Sequence, residues 1–304
     1  MGSKVNRILR RLPTYAVYVK ERPAWLFMLV FARLLAARRA ERFVRRAAPR
    51  PVRVDGEPRV QAADVGSIVP TLVKNGVCTD FRLLQQDVAD ILDFAENTPC
   101  HPRDGTGKAF LPRDYASANA GRERDIIAAY YFDRVRDCAA IGRLETDPLI
   151  TAVANAYLGQ PVQNIRTRLW WSFPAKRVDD ADLHAAAQEK FHFDMNDWRT
   201  LKFFFYITPT DEQSGAHKYI EGSHRKRRLR HQWTLMVGHE FEELLAYYGA
   251  GSVKTLTGDA GVGFAEDPFT FHTGTLCRTK PRLILELEYG PSAPSPSYRY
   301  GVFG

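Results

Sequence analysis

A chain of 304 residues with 45% hydrophobic and 12% aromatic content can bury one large core. Its four cysteines, Cys78, Cys100, Cys138 and Cys277, form no CxxC pair, which argues against a disulfide framework or a thiolate zinc site and suits a reducing, cytoplasmic setting. The net charge of +8 is uneven, because residues 1–53 hold 14 Lys and Arg against only Glu21 and Glu41 while the remainder is slightly acidic.

The basic N-terminus also contains the apolar run Ala24–Ala32, ended by Arg33. It falls well short of the roughly 20 residues that span a bilayer. A cleaved leader fits poorly, since Arg33 abuts the run and no small-x-small cleavage site follows. Beyond it, Ala36, Ala40, Phe43, Val44 and Ala47 fall on one helical face, and Arg38, Arg42, Arg45 and Arg46 on another. That pattern suits a basic amphipathic helix lying peripherally on an anionic membrane surface through residues 1–53. The competing expectation is a helix packed on the enzyme with its arginines in solvent. Nucleic acid is not expected as a partner, because no binding motif accompanies the charge.

Residues 48–63, with Pro49, Pro51, Gly56 and Pro58, have the composition of a linker. The expected division is a helical extension and linker over 1–60 and a catalytic domain over 61–304. From 64 to about 160 the pattern is mainly helical. Thr79 or Asp80 is expected to cap a helix carrying Leu84, Val88, Ile91, Leu92 and Ala95. A second helix starts at Thr146 or Asp147, takes Pro148 in its first turn and stops at Gly159. The stretch 100–128, with Gly105, Gly107 and Pro112, is expected to be a surface excursion near a substrate. After 160 the grammar changes to strands over Asn164–Phe173, Leu201–Thr208, Phe269–His272 and Leu283–Tyr289. The sum is an α+β fold with helices outside a β-sandwich or barrel.

His192-Phe193-Asp194 is the one HxD in the chain. In a strand, residues i and i+2 share a face, so an imidazole and a carboxylate can meet one cation while Phe193 turns into the core. Among later histidines, His224 and His231 lie amid Arg225, Lys226, Arg227, Arg228 and Arg230, His239 opens a helical pattern, and His217 lies in a Gly-rich connection. His272 follows the β-like Phe269-Thr270-Phe271 and is the favoured third ligand. Two histidines and one carboxylate with open positions suit non-haem iron(II) and dioxygen. Arg282, ten residues on, is suited to the distal carboxylate of a dicarboxylic co-substrate, with Arg278 as a weaker choice.

Residues 191–224, FHFDMNDWRTLKFFFYITPTDEQSGAHKYIEGSH, resemble the phytanoyl-CoA dioxygenase family in their HxD, apolar strand, acidic turn with glycine and Gly222-Ser223-His224. The resemblance spans about residues 65–290 and includes His272-Thr273-Gly274 and Arg282. It implies a double-stranded β-helix, or jelly roll, that binds Fe(II) through His192, Asp194 and His272 and uses 2-oxoglutarate and O2. Related halogenases replace the carboxylate by a small residue, so Asp194 implies hydroxylation of an unactivated C–H bond, with release of succinate and CO2. The chain departs from the family pattern at Ile284, where a Ser or Thr two residues after Arg282 is expected. Lys202, Thr208 and Arg168 are the candidates to assist the distal carboxylate. The tract His224–His231 suggests an anionic substrate, either small or linked to a lipid or saccharide. The same ligands would also serve a metal isomerase or hydrolase without 2-oxoglutarate, or persist in a silent membrane-associated scaffold.

Overall fold

The computed structural model describes residues 16–44, 54–179, 183, 188–232, 241–293 and 299. Arg45, Arg46, Ala47, Pro49 and Pro51 of the expected linker, and His239 lie outside the described residues.

Alternation organises the larger of two sheets. Its eight strands run in the spatial order β1 (Val60–Ala62), β2 (Val77–Leu83), β9 (Val262–Glu266), β6 (Leu201–Tyr206), β11 (Arg282–Gly290), β5 (Gln163–Ser172), β4 (Ala128–Tyr130) and β3 (His101–Pro102), all antiparallel. One face carries Leu169, Trp171, Phe203, Phe205, Leu283, Leu285 and Leu287 into the main core. There they meet helices α3 (Val65–Asn75), α4 (Gln85–Asn97), α5 (Ala139–Glu145) and α6 (Pro148–Leu158). The other face looks towards a smaller sheet of β10 (His272–Gly274), β7 (His217–Ile220) and β8 (Val253–Leu256). An antiparallel bridge from His192 to His272 adds the HxD segment to that sheet's edge. Phe204, Tyr206, Phe264 and Ile284 of the large sheet pack with Tyr219 of the small one. The result is the expected α+β double-stranded β-helix with helices on its outer face.

Register arranges the residues between the sheets in rows. Arg166, Glu288, Lys202 and Glu266 are cross-strand neighbours, as are Arg168, Glu286, Phe204 and Phe264. Trp170, Ile284 and Tyr206 form the next row, and Ser172 stands opposite Arg282 beyond it. The interior therefore grades from charged to aromatic to a cationic end. A one-residue slip would exchange these rows for leucines.

The helix beginning at Asp147 forms as expected. The Asp147 side chain accepts from the Leu149 and Ile150 amides at 2.9 and 3.0 Å, and Gly159 ends the helix at φ +71°. The expected cap at Thr79 or Asp80 is corrected, because both residues lie in β2 and the helix starts at Gln85 after Leu84. Burial of Phe81 and Leu83 between β1 and β9 outweighs the local capping signal. Within 100–128, β3 and the start of β4 extend the large sheet. All four cysteines are buried and unpaired.

Two helices at the N-terminal end lie against this body. α1 (Ala24–Phe31) buries Trp25 and Met28, with Ala32 just beyond it, beside Trp198. α2 (Leu35–Val44) packs on the body but not with all its arginines in solvent: Arg38 is buried, while Phe43 is 86% exposed. The cause is ionic. Arg38 pairs with Asp267 at 3.6 Å and lies over the Phe269 ring at 4.1 Å, and Glu41 pairs with Arg199 at 2.8 Å. Among the described residues no helix is long and apolar enough to cross a membrane.

Burial alone would raise the Asp267 pKa, but Arg38, His224 and hydrogen bonds from Tyr157 and the Phe269 amide hold it below the usual carboxylate range. A depressed carboxylate contributes stability above its unfolded pKa and loses it as pH falls through the folded value. Arg38→Met should therefore cost about 3 kcal/mol at neutral pH, as for one partner of a buried pair left alone. Urea unfolding should show the gap from wild type narrowing as pH falls through the carboxylate range; a pH-independent gap would contradict this account of Arg38.

Candidate metal centre

The two histidines reach one point because their backbones pair. His192 N donates to His272 O at 2.9 Å and His272 N to His192 O at 2.8 Å, which sets the imidazole centroids 4.4 Å apart. Asp194 N donates to Pro268 O at 2.8 Å and holds the HxD segment in place. One ligand atom from each of His192, Asp194 and His272 lies within 4.8 Å of the others. His192 Nε2 is 3.9 Å from Asp194 Oδ1, and His272 Nε2 is 3.8 Å from Oδ2.

Protonation also suits a cation. His192 Nδ1 is 3.2 Å from Lys190 O and His272 Nδ1 is 2.9 Å from Thr270 O. A carbonyl only accepts, so each proton sits on Nδ1 and each Nε2 lone pair is free to bind metal. Burial keeps both rings neutral, lowering His192 and bringing His272 down to about 4. Burial opposes ionisation of Asp194, yet the Lys202 ammonium holds its pKa well below the usual range. Neutral imidazoles and an ionised carboxylate are the forms that ligate a divalent ion.

Of the other expected residues, Lys202 Nζ donates to Asp194 Oδ2 at 2.5 Å and lies 3.7 Å from Glu286. Arg168 forms a bidentate pair with Glu286, whose pKa Arg168 and Lys202 bring down to about 2 against the effect of burial. Thr208 Oγ1 accepts from the Leu283 amide at 2.9 Å. Arg282 is buried at the cationic end, donating to Gly215 O and, at 2.9 Å, to Ser172 Oγ. Its Nε is buried without a hydrogen-bond partner, and among the described residues no carboxylate pairs with it. Arg278 is exposed. Gly215, at φ +85°, admits this packing; a Cβ there would stand 2.7 Å from Cys277 Sγ and 3.4 Å from the guanidinium carbon.

Three features escaped the sequence. His217 belongs to β7 and stacks 5.4 Å from the His272 ring. Glu266, fully buried, lies 3.0 Å from His217 Nε2 and 3.6 Å from His272 Nδ1, and burial pushes its pKa up to about 7. A charged residue ending the apolar strand Val262–Glu266 was its one visible signal. Arg227 turns inward, its guanidinium carbon 4.2 Å from the Phe193 ring and 4.1 Å from the Phe271 ring. It thereby packs on a neighbour of each ligand-bearing segment. His224 bonds to Val73 O at 3.2 Å and His231 to Glu243 at 2.8 Å, so neither joins the triad.

No protein-family model matches the chain, and no curated protein sequence matches it. Solved structures do. EctD from S. alaskensis with bound Fe is similar at a TM-score of 0.51 and 19% identity, over 81% of this chain and 91% of that one. The epimerase SnoN, in complex with Fe3+, alpha ketoglutarate and nogalamycin RO, is similar at 0.50 and 17%, over 79% and 87%. AviO1 from Streptomyces viridochromogenes Tue57 is similar at 0.50 and 14%, over 77% and 99%. At these identities the likeness is one of fold. The chain therefore has the double-stranded β-helix fold of those proteins, and within that fold its own His-Asp-His cluster stands at the edge of the smaller sheet.

Titration of the apo-protein with Co(II), whose d–d spectrum reports coordination, should give one site per chain. His192→Ala, Asp194→Ala or His272→Ala should each weaken it by about two orders of magnitude or more, because a three-ligand site loses a direct bond. Equal affinity in all four proteins would remove the triad as the metal site.

Proposed function

We propose that this chain is an Fe(II)- and 2-oxoglutarate-dependent oxygenase that hydroxylates an unactivated C–H bond of a small-molecule substrate. The observation that carries this reading is the pairing of a compact His192-Asp194-His272 cluster with a buried Arg282 that no carboxylate among the described residues satisfies. An uncompensated guanidinium between two sheets is costly unless an anion joins it. A dicarboxylate chelating iron at one end would bring that anion at the other. Iron and 2-oxoglutarate supply the chemistry when bound, coupling decarboxylation to succinate with oxidation of the substrate.

The chain's own residues bind and orient. His192, Asp194 and His272 would hold the ion. Lys202 neutralises Asp194 Oδ2 and would leave Oδ1 free to ligate the ion. Arg282 takes the distal carboxylate, and Ser172 supplies the hydroxyl beside it. Trp170, Tyr206 and Ile284 form the row between the charged and cationic ends and are placed to exclude water around the bound co-substrate. The resemblance over 191–224 and 269–289 supports the narrower assignment, a phytanoyl-CoA dioxygenase-like hydroxylase, as does the carboxylate at Asp194.

Anaerobic addition of Fe(II) and 2-oxoglutarate should produce a weak visible charge-transfer band, and air should then release succinate. Arg282→Met should raise the 2-oxoglutarate concentration needed for the band at least thirtyfold while leaving Fe(II) binding intact. That corresponds to the ~2–5 kcal/mol lost when one member of a buried charged pair is removed. Fe(II) binding with no response to 2-oxoglutarate would instead point to a metal isomerase or hydrolase.

A further inference from the structure

The basic tract after β7 divides between two environments. Arg227 enters the protein, whereas Arg225 and Lys226 face solvent. These two meet Arg39 of α2 in one open pocket of about 480 Å³, walled by Tyr247 and Tyr248 of α7 (Phe241–Tyr248) and by Glu221. Tyr248 OH donates to Lys226 O at 2.8 Å and holds the tract against the helix. Arg228 lies 4.3 Å over the Tyr247 ring and adds positive charge beside it. Among the described residues, Arg39, Arg225 and Lys226 form no ion pair, so the pocket keeps an excess of cations over its single acid.

The orientation of α2 gives this pocket a second property. With Arg38 and Glu41 engaged inward, the exposed face carries Ala36, Ala40 and Phe43 alongside Arg39 and Arg42. Phe43 lies one turn from Arg39 on the same face and is 86% exposed. α1 exposes Leu26, Phe27, Val30 and Phe31 while its opposite side is anchored by Trp25 and Met28. A soluble phosphate ester has no use for these apolar groups, and a second copy would bring its own cations against these. A bilayer containing anionic phospholipid satisfies both, taking apolar side chains into its interface and lipid phosphates into the pocket.

We infer that the Arg39–Arg225–Lys226 pocket is a phospholipid headgroup site through which the protein docks on an anionic membrane surface. The site stands apart from the metal centre and does not rest on the proposed reaction. Flotation of the full chain on phosphatidylcholine vesicles with and without phosphatidylglycerol is the test. Wild type should float on the anionic vesicles, be released by high salt and ignore pure phosphatidylcholine. Arg39→Ala/Arg225→Ala/Lys226→Ala should lower partitioning on the order of a hundredfold, each basic residue at such a surface contributing about fivefold. Arg39→Glu alone, on an exposed helix face, should lower it about tenfold or more and tests the site even if the triple variant is unstable. Phe43→Ala should weaken binding severalfold with the salt dependence retained. Absence of flotation, wild-type partitioning in the charge variants, or binding of inorganic phosphate without vesicles would each overturn the inference.

Discussion

The two backbone hydrogen bonds between His192 and His272 are the constraint on which the site depends. They join segments eighty residues apart in the chain, close the edge of the smaller sheet and set both imidazoles beside Asp194. Because the pairing is antiparallel and the side-chain period is two, the same bonds that place the histidines also turn Phe193 and Phe271 to the opposite face. There Arg227 packs against both rings. The metal-facing and core-facing sides of this edge are therefore specified by one register.

The interior charges follow from a second register, that of β5, β11, β6 and β9. Glu286 and Glu266 point into the same space and behave oppositely. Glu286 meets Arg168 and Lys202 and remains ionised, whereas Glu266 faces two histidines and has its pKa pushed up by burial. Lys202 links the charged rows to Asp194, so the sheet's ion pairs extend to the metal centre. At the far end the acceptors that Arg282 meets among the described residues are neutral. That asymmetry is what distinguishes a place for an anion from ion pairs that are already complete.

The N-terminal segment shows how a helical wheel can give the faces and leave open which of them meets the body. Arg38, Arg42 and the face with Ala36, Ala40 and Phe43 were separable from spacing alone. Packing on the body with every arginine in solvent was one of two expectations, but Asp267 and Arg199 on the body offered partners for Arg38 and Glu41. Two ion pairs and a guanidinium stacked on Phe269 outweigh burial of one phenylalanine and two alanines, whose transfer is worth about 2–3 kcal/mol in total. The apolar groups were left outside.

Local chemistry was enough to identify several features from the amino-acid order. HxD spacing predicts two ligands on one face, Asp147-Pro148 and Gly159 bound a helix, and alternation over 283–289 marks the central strand. Each of these depends on neighbours within a few residues. The helix start at Gln85, the inward turns of Arg38 and Arg227, and the buried Glu266 beside His217 do not. They were decided by partners supplied from distant segments, namely β1 and β9 for β2, Asp267 for Arg38, and the ligand-flanking phenylalanines for Arg227. The order of residues alone nominated His272 and Arg282, but only tertiary pairing put His272 against His192 and left Arg282 without a carboxylate among the described residues. Strand register and charge compensation are long-range quantities, set when the sheets close.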